Sequence, residues 1–244
     1  MTYRLIACLF AILALGLFGA CNGGDDASET PLPSGRTAAP EPPGGAGPIS
    51  KQAAKFLAGV DGKIVYRYTG PLGGVTEGTL TVYRLGVSDR NDWTAAAFEI
   101  ETTTISILGS EKNYVCTKAQ NFDSCQEASV AGVEAVRVIS SPIYNALAAL
   151  VVDPDQFEVS DLPERTLTGT TAKCYRAFSE TRIGDGPPSS EEIEACYGDS
   201  GAVLYFQRIV TPDSVAIEPG TYTIEAQEIG QALPSDFEPT SPAQ

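Results

Sequence analysis

The chain has 244 residues, 43% of them hydrophobic and 19% charged, with a formal net charge of −15. That acidity argues against nucleic acid and against electrostatic docking on anionic lipid, while the apolar share marks a globular chain. The sequence contains no histidine, which removes the most common general base from any catalytic scheme.

Arg4 is the only charge ahead of an apolar run from Leu5 to Ala20. A positive start, an apolar core and small residues at the end read as a lipoprotein signal peptide over residues 1–20. The run is short and glycine-broken for a membrane span, which takes about 20 apolar residues. Leu17-Phe18-Gly19-Ala20-Cys21 reads as a lipobox, with Cys21 acylated and becoming the mature N-terminus. An ordinary secretory cut after Ala20 would set bulky Phe18 three positions before the cut, where a small residue is wanted. Acyl chains contribute about 0.8 kcal/mol per buried methylene, so two or three on one cysteine hold the protein at a membrane. The expected location is extracytoplasmic, on the cell membrane, or on the outer membrane where the source is Gram-negative. Cys8 is lost with the signal.

Residues 21–49 are rich in Gly, Pro, Ala, Ser, Thr and acids, and Pro40 to Pro48 shows no apolar periodicity. The stretch is a tether, standing roughly 30 Å end to end as a flexible coil. The globular domain is assigned to residues 50–239, with 240–244 a disordered tail.

Ser50 is expected to cap a short helix through Leu57, with Gly59 just past its end. The period then changes to two. Ile64, Tyr66 and Tyr68 share one face of a strand, and alternation continues over Gly78–Leu85, Ala97–Glu101 and Thr104–Ile107. Turns are placed at Gly70–Gly74 and at Asp89–Asp92. Ser141-Pro142 opens a helix in which Ile143, Leu147, Leu150 and Val151 recur at helical spacing, ended by Asp153-Pro154. Further strands are read at Ala172–Phe178, Val203–Val210 and Thr221–Glu228. Ser189 and Glu192 have capping-box spacing, so a small helix is read through Ile193 to Tyr197.

With Cys8 removed and Cys21 acylated, Cys116, Cys125, Cys174 and Cys196 remain. Four cysteines allow three pairings, and the nearest-neighbour disulfides Cys116–Cys125 and Cys174–Cys196 are expected. A zinc site is disfavoured, because the spacings lack two-residue knuckles and an oxidising compartment works against free thiolates. No metal or cofactor is expected. Gly198-Asp199-Ser200-Gly201 looks like the nucleophile loop of trypsin-like serine proteases, but no histidine exists to take the serine proton. A Ser200–Lys173 dyad has no support in the spacing, and a tight turn feeding the next strand is expected instead. No catalytic residue is assigned.

The order of lipobox, tether, short helix, strands, central apolar helix, strands and Asp236-Phe237-Glu238-Pro239 resembles the lipoprotein-carrier superfamily that includes LolA, LprG and LppX. The resemblance covers roughly Ser50 to Pro239 and rests on element order. It implies an α+β fold, a LolA-like antiparallel β half-barrel wrapped around a few helices, whose concave side holds acyl chains. The two cysteine pairs are not part of the carriers' shared pattern. A lipid or other apolar ligand would then meet Tyr66, Phe98, Ile100, Tyr205, Tyr222 and Ile224 on the strands. It would also meet Ile143, Leu147, Leu150 and Val151 on the central helix. These groups either fill a core or line a cleft of about 300 Å³ or more. The other reading is a ligand-free surface interaction or sensor module with a protein partner of unknown identity.

Overall fold

A computed structural model describes residues 47–72, 75–97, 100–140, 142–181, 188–211, 220–239 and 241. The lipobox with Cys21, most of the tether, Phe98 and most of the tail lie outside these residues. The described chain contains helix α1 (Pro48–Ala58) and strands β1 (Gly62–Leu72), β2 (Val75–Leu85), β3 (Ser88–Ala97), β4 (Ile100–Leu108), β5 (Asn113–Ala119) and β6 (Phe122–Glu127). Helices α2 (Val130–Ser140) and α3 (Pro142–Val152) follow. The second half supplies β7 (Glu158–Leu167), β8 (Thr170–Thr181), β9 (Ser189–Tyr197), β10 (Val203–Thr211) and β11 (Gly220–Gly230).

All eleven strands form one antiparallel sheet in the order β6-β5-β4-β3-β2-β1-β11-β10-β9-β8-β7. The first and last strands of the run, β1 and β11, pair in the middle, so the two halves of the chain join there through Ile64↔Ile229 and Tyr68↔Ile224. Among the described residues the sheet does not close, because β6 and β7 have no partner strand on their outer sides.

Strand alternation sends Tyr66 and Tyr68 of β1, Leu80 and Val82 of β2, and Tyr222 and Ile224 of β11 to one face. That inner face receives Ile49, Ala53 and Phe56 of α1 and Ile143, Leu147, Leu150 and Val151 of α3 in one buried cluster. A smaller cluster lies on the outer face, where Ile105, Ile107, Cys116 and Cys125 are covered by Phe237 of the C-terminal segment.

Several sequence expectations change. α1 starts at Pro48 behind Gly47, and Ser50 is a buried residue inside it rather than its cap. Asp89–Asp92 is strand, not turn: Asp89 and Asn91 point inward, while Arg90 and Asp92 bind each other. The turn falls earlier, at Gly86, which has φ 59°. Ser189–Tyr197 is strand β9, not a helix. Its acids are held by arginines, Glu192 by Arg176 and Glu194 by Arg165 on one side and Glu191 by Arg208. A run of acids that suits a helix start is here a set of cross-strand pairs.

Candidate functional site

The space between α3 and the sheet is the place where an apolar ligand would sit. Ile143, Leu147, Leu150, Tyr66 and Ile224 have no exposed surface, Val151 has 2% and Tyr222 5%. A groove large enough to admit solvent would leave its lining accessible, so these side chains interdigitate as a filled core. Tyr66 donates to the Val203 carbonyl at 2.9 Å, and burial pushes its hydroxyl pKa far up, so it stays a protonated donor. An aromatic row continues across the inner face: Trp93 meets Tyr68 edge-on at 5.3 Å, Tyr68 meets Tyr222 at 5.9 Å, and Tyr222 meets Phe206 at 6.0 Å. Gly78 makes room for it, since a Cβ there would stand 3.0 Å from the Trp93 ring.

Two of the expected lining residues sit elsewhere. Ile100 begins β4 and is 53% exposed. Tyr205 points to the outer face opposite Glu225, with the Arg165 guanidinium 5.4 Å from its ring centre. A bulge between Val203 and Tyr205 shifts the alternation in β10, which no period-two pattern discloses.

α3 is unusual in composition. Pro142–Val152 carries no charged residue, Ala148 and Ala149 are only half-buried, and Val152 is 72% exposed. A helix at a water boundary normally has a charged or polar outer stripe.

One end of α3 is held by a buried polar network that sequence reading missed. Arg84 of β2 is 1% exposed and lies 2.9 Å from Asp89 Oδ2. Its guanidinium also donates to the Phe56 carbonyl near the end of α1 and to the Tyr144 hydroxyl of α3. Tyr144 donates in turn to Asn91 Oδ1 at 3.2 Å, and Asn91 donates to Asp89 Oδ1 at 2.7 Å. Arg137 of α2 reaches Asp89 Oδ2 at 3.2 Å and Glu134 at 2.6 Å, and its guanidinium stands 4.7 Å from the Tyr144 ring centre. All three helices are thus tied to the β2–β3 hairpin through two arginines. The sequence signal was the alternation of Asp89 and Asn91 on the face shared with Arg84.

Both cysteine pairs are joined, Cys116 to Cys125 across β5 and β6 and Cys174 to Cys196 across β8 and β9. The second ties two neighbouring strands rather than a strand and a helix. Gly198–Gly201 forms a tight turn, with Gly201 N donating to Gly198 O at 2.8 Å. Ser200 Oγ accepts from the Ala202 amide at 3.3 Å, and the Lys55 ammonium is engaged on the Asp199 carbonyl. No group of three or more metal-ligating side chains occurs among the described residues.

An open antiparallel sheet wrapped on one face by helices is the architecture that the element order implied. The fold is α+β. It is similar to that of the lipoprotein LppX of Mycobacterium tuberculosis, at 7% identity and a TM-score of 0.42, over 76% of this chain and 94% of that one. It is similar to LprF of Mycobacterium bovis at 12% identity and a TM-score of 0.42, over 80% and 96% of the two chains. It is also similar to a chain of the Pseudomonas aeruginosa MucA/MucB complex at 12% identity and a TM-score of 0.43, over 78% of this chain and 60% of that one. No protein-family model matches the sequence, and no curated protein matches it.

Proposed function

We propose that this protein is a membrane-tethered, extracytoplasmic binding module that takes one apolar chain, such as a lipid acyl chain, between α3 and the inner face of its sheet. The observation that carries the reading is α3 itself, an uncharged helix laid over an open, aromatic-lined sheet and held by polar bonds at one end. The filled interface means that a ligand enters by displacing α3 rather than by occupying a standing cavity. Lifting Ile143, Leu147, Leu150 and Val151 off the sheet costs roughly 6–12 kcal/mol, at about 1.5–3 kcal/mol per side chain and as an upper bound. The roughly fifteen apolar carbons of a palmitate chain returned to an apolar setting contribute about 12 kcal/mol. The exchange is close to balanced, which suits a protein that loads and releases.

The anchor is part of the proposal: Cys21 is acylated, and Cys21→Ala releases the protein or leaves it unprocessed. Catalysis is not part of it, and a fluorophosphonate probe leaves Ser200 unlabelled. The test of binding is native mass spectrometry of the folded domain, before and after incubation with palmitate. One added fatty acid per chain, displaced by a second apolar ligand, supports the reading. Absence of any adduct at millimolar palmitate, with no lipid in an organic extract of the purified protein, contradicts it. The filled core favours the second reading in that event, a ligand-free interaction module.

A further inference from the structure

The sheet ends in β7, whose outer side has no partner strand among the described residues. Its register on β8 sets Glu158 opposite Phe178, Ser160 opposite Arg176 and Leu162 opposite Cys174. The direction of its peptide groups follows from the next pair along the sheet. Cys174 and Cys196 have Cα atoms 4.0 Å apart, the close spacing of a non-hydrogen-bonded antiparallel pair. The peptide groups of Cys174 therefore point toward β7, where they bond Leu162. Glu158 and Ser160, at the same parity, also turn their peptide groups to β8. Val159 and Asp161 turn theirs outward, and both residues are exposed. Pro163 and an irregularity between Leu162 and Arg165 end the regular edge.

A concavity of about 330 Å³ adjoins this edge, lined by Glu158, Val159, Ser160, Arg176 and Phe178. A side chain from an added strand, placed opposite Ser160, would enter it beside the Phe178 ring. Charge selects the occupant. Glu158, Asp161 and Glu164 lie along the strand with no ion pair among the described residues, whereas Arg165 and Arg176 are engaged by Glu194 and Glu192. A second copy of the chain would set these acids against each other, and such charges are a common guard against edge-to-edge self-pairing. A basic strand is admitted by the same charges. At the opposite edge, Asp123 and Glu127 of β6 are already paired with Lys118 and Lys112.

We propose that the open edge of β7, over Glu158–Leu162, receives an extended basic segment of a protein partner as a twelfth strand. The added backbone bonds to Val159 and Asp161, and a long-stemmed basic side chain lies over Phe178 toward Glu158. This site uses no part of the α3 interface, so it stands or falls apart from ligand binding.

The probe is a blocked Lys-Val-Lys-Thr-Lys-Val-Lys peptide, added to the wild-type domain and followed by amide hydrogen exchange. The expected result is slowing of the Val159 and Asp161 amides by about tenfold or more, with Glu158 and Ser160, already in the ladder, changed little. The same peptide with Glu in place of Lys gives no protection. Val159→Pro removes one outward N–H without touching the β7–β8 ladder and weakens binding about tenfold. Asp161→Lys, a variant with no backbone change, weakens it as well. Unchanged exchange at Val159 and Asp161 at millimolar peptide overturns the proposal. Equal protection by the Glu peptide, or undiminished binding by both folded variants, overturns it too.

Discussion

Arg84 has one charged neighbour, Asp89, and two ring neighbours, Phe56 and Tyr144, in a place where water does not reach. Replacing it with methionine leaves Asp89 buried with Arg137 as its remaining cation, and strips a donor from the Phe56 carbonyl and from Tyr144. Removing one partner of such a pair costs about 3–5 kcal/mol, mostly because the other charge is left behind. Arg84→Met is therefore expected to lower urea stability by that amount. The double variant Arg84→Met/Asp89→Leu is expected to lose less than the sum of the two single changes. Strict additivity would mean that the pair is not coupled.

Asp92, on the outer face, has a different balance. Arg90 holds both its oxygens at 2.7 Å, yet burial raises its pKa above the ordinary 3.8 by more than the Arg90 hydrogen bond and charge lower it. A group with a raised folded pKa binds its proton more tightly folded than unfolded. Its contribution is fully present below 3.8 and is lost as pH rises through the raised value. The stability of wild type relative to Asp92→Asn, read from urea midpoints between pH 3 and 7, is expected to fall as pH rises across that window. A difference that grows with pH would mean that Arg90 outweighs burial.

Among the elements, the disulfides staple neighbouring strands on the outer face of each half of the sheet. Their loops, with sequence separations of 9 and 22, correspond to about 2.5 and 3.5 kcal/mol of loop-closure entropy in the unfolded chain. Cys174→Ala/Cys196→Ala is expected to lose more stability than Cys116→Ala/Cys125→Ala in parallel urea titrations. The reverse order would place the difference in native packing rather than loop length. The C-terminal turn at Pro234–Phe237 adds a further clasp, with Arg90 donating to the Asp236 carbonyl at 2.7 Å.

Elements with a clean period were legible in the sequence. β1, β2 and β11 alternate buried and less buried residues over Ile64–Tyr68, Leu80–Arg84 and Tyr222–Ala226, and α3 combines a Pro start with apolar residues at helical spacing. The misread elements share a physical cause, polar residues whose partners come from distant strands. β3 is polar on both faces because Asp89 and Asn91 meet Arg84 and Tyr144 inside, while Arg90 and Asp92 meet each other outside. β9 carries acids that wait for Arg165, Arg176 and Arg208. β7 is acidic with a proline because it is an edge. α2, Val130–Ser140, contains Gly132 and four further β-branched residues after Val130, so its composition resembles a strand. The apolar site was legible in part for the same reason. Tyr66, Ile143, Leu147, Leu150, Val151, Tyr222 and Ile224 converge, whereas Tyr205 is turned outward by the β10 bulge and Ile100 stands at an exposed strand end.

At the scale of the whole molecule, the chain brings its two strand runs together at β1 and β11, places α2 and α3 between them in sequence, and packs α1 and α3 on one face of the sheet. The sheet carries cross-strand disulfides toward both edges, and α3 carries neither a disulfide nor an ion pair among the described residues. That contrast is the physical basis for proposing that α3 moves while the sheet stays. The most direct test is native-state amide hydrogen exchange of the folded domain, comparing Pro142–Val152 with β1 and β11, with and without palmitate. The account predicts that α3 opens at a free energy several kcal/mol below that of the central strands, and that palmitate changes exchange in α3 while leaving β1 and β11 unchanged. Exchange of α3 only through global unfolding, with no response to palmitate, would contradict it.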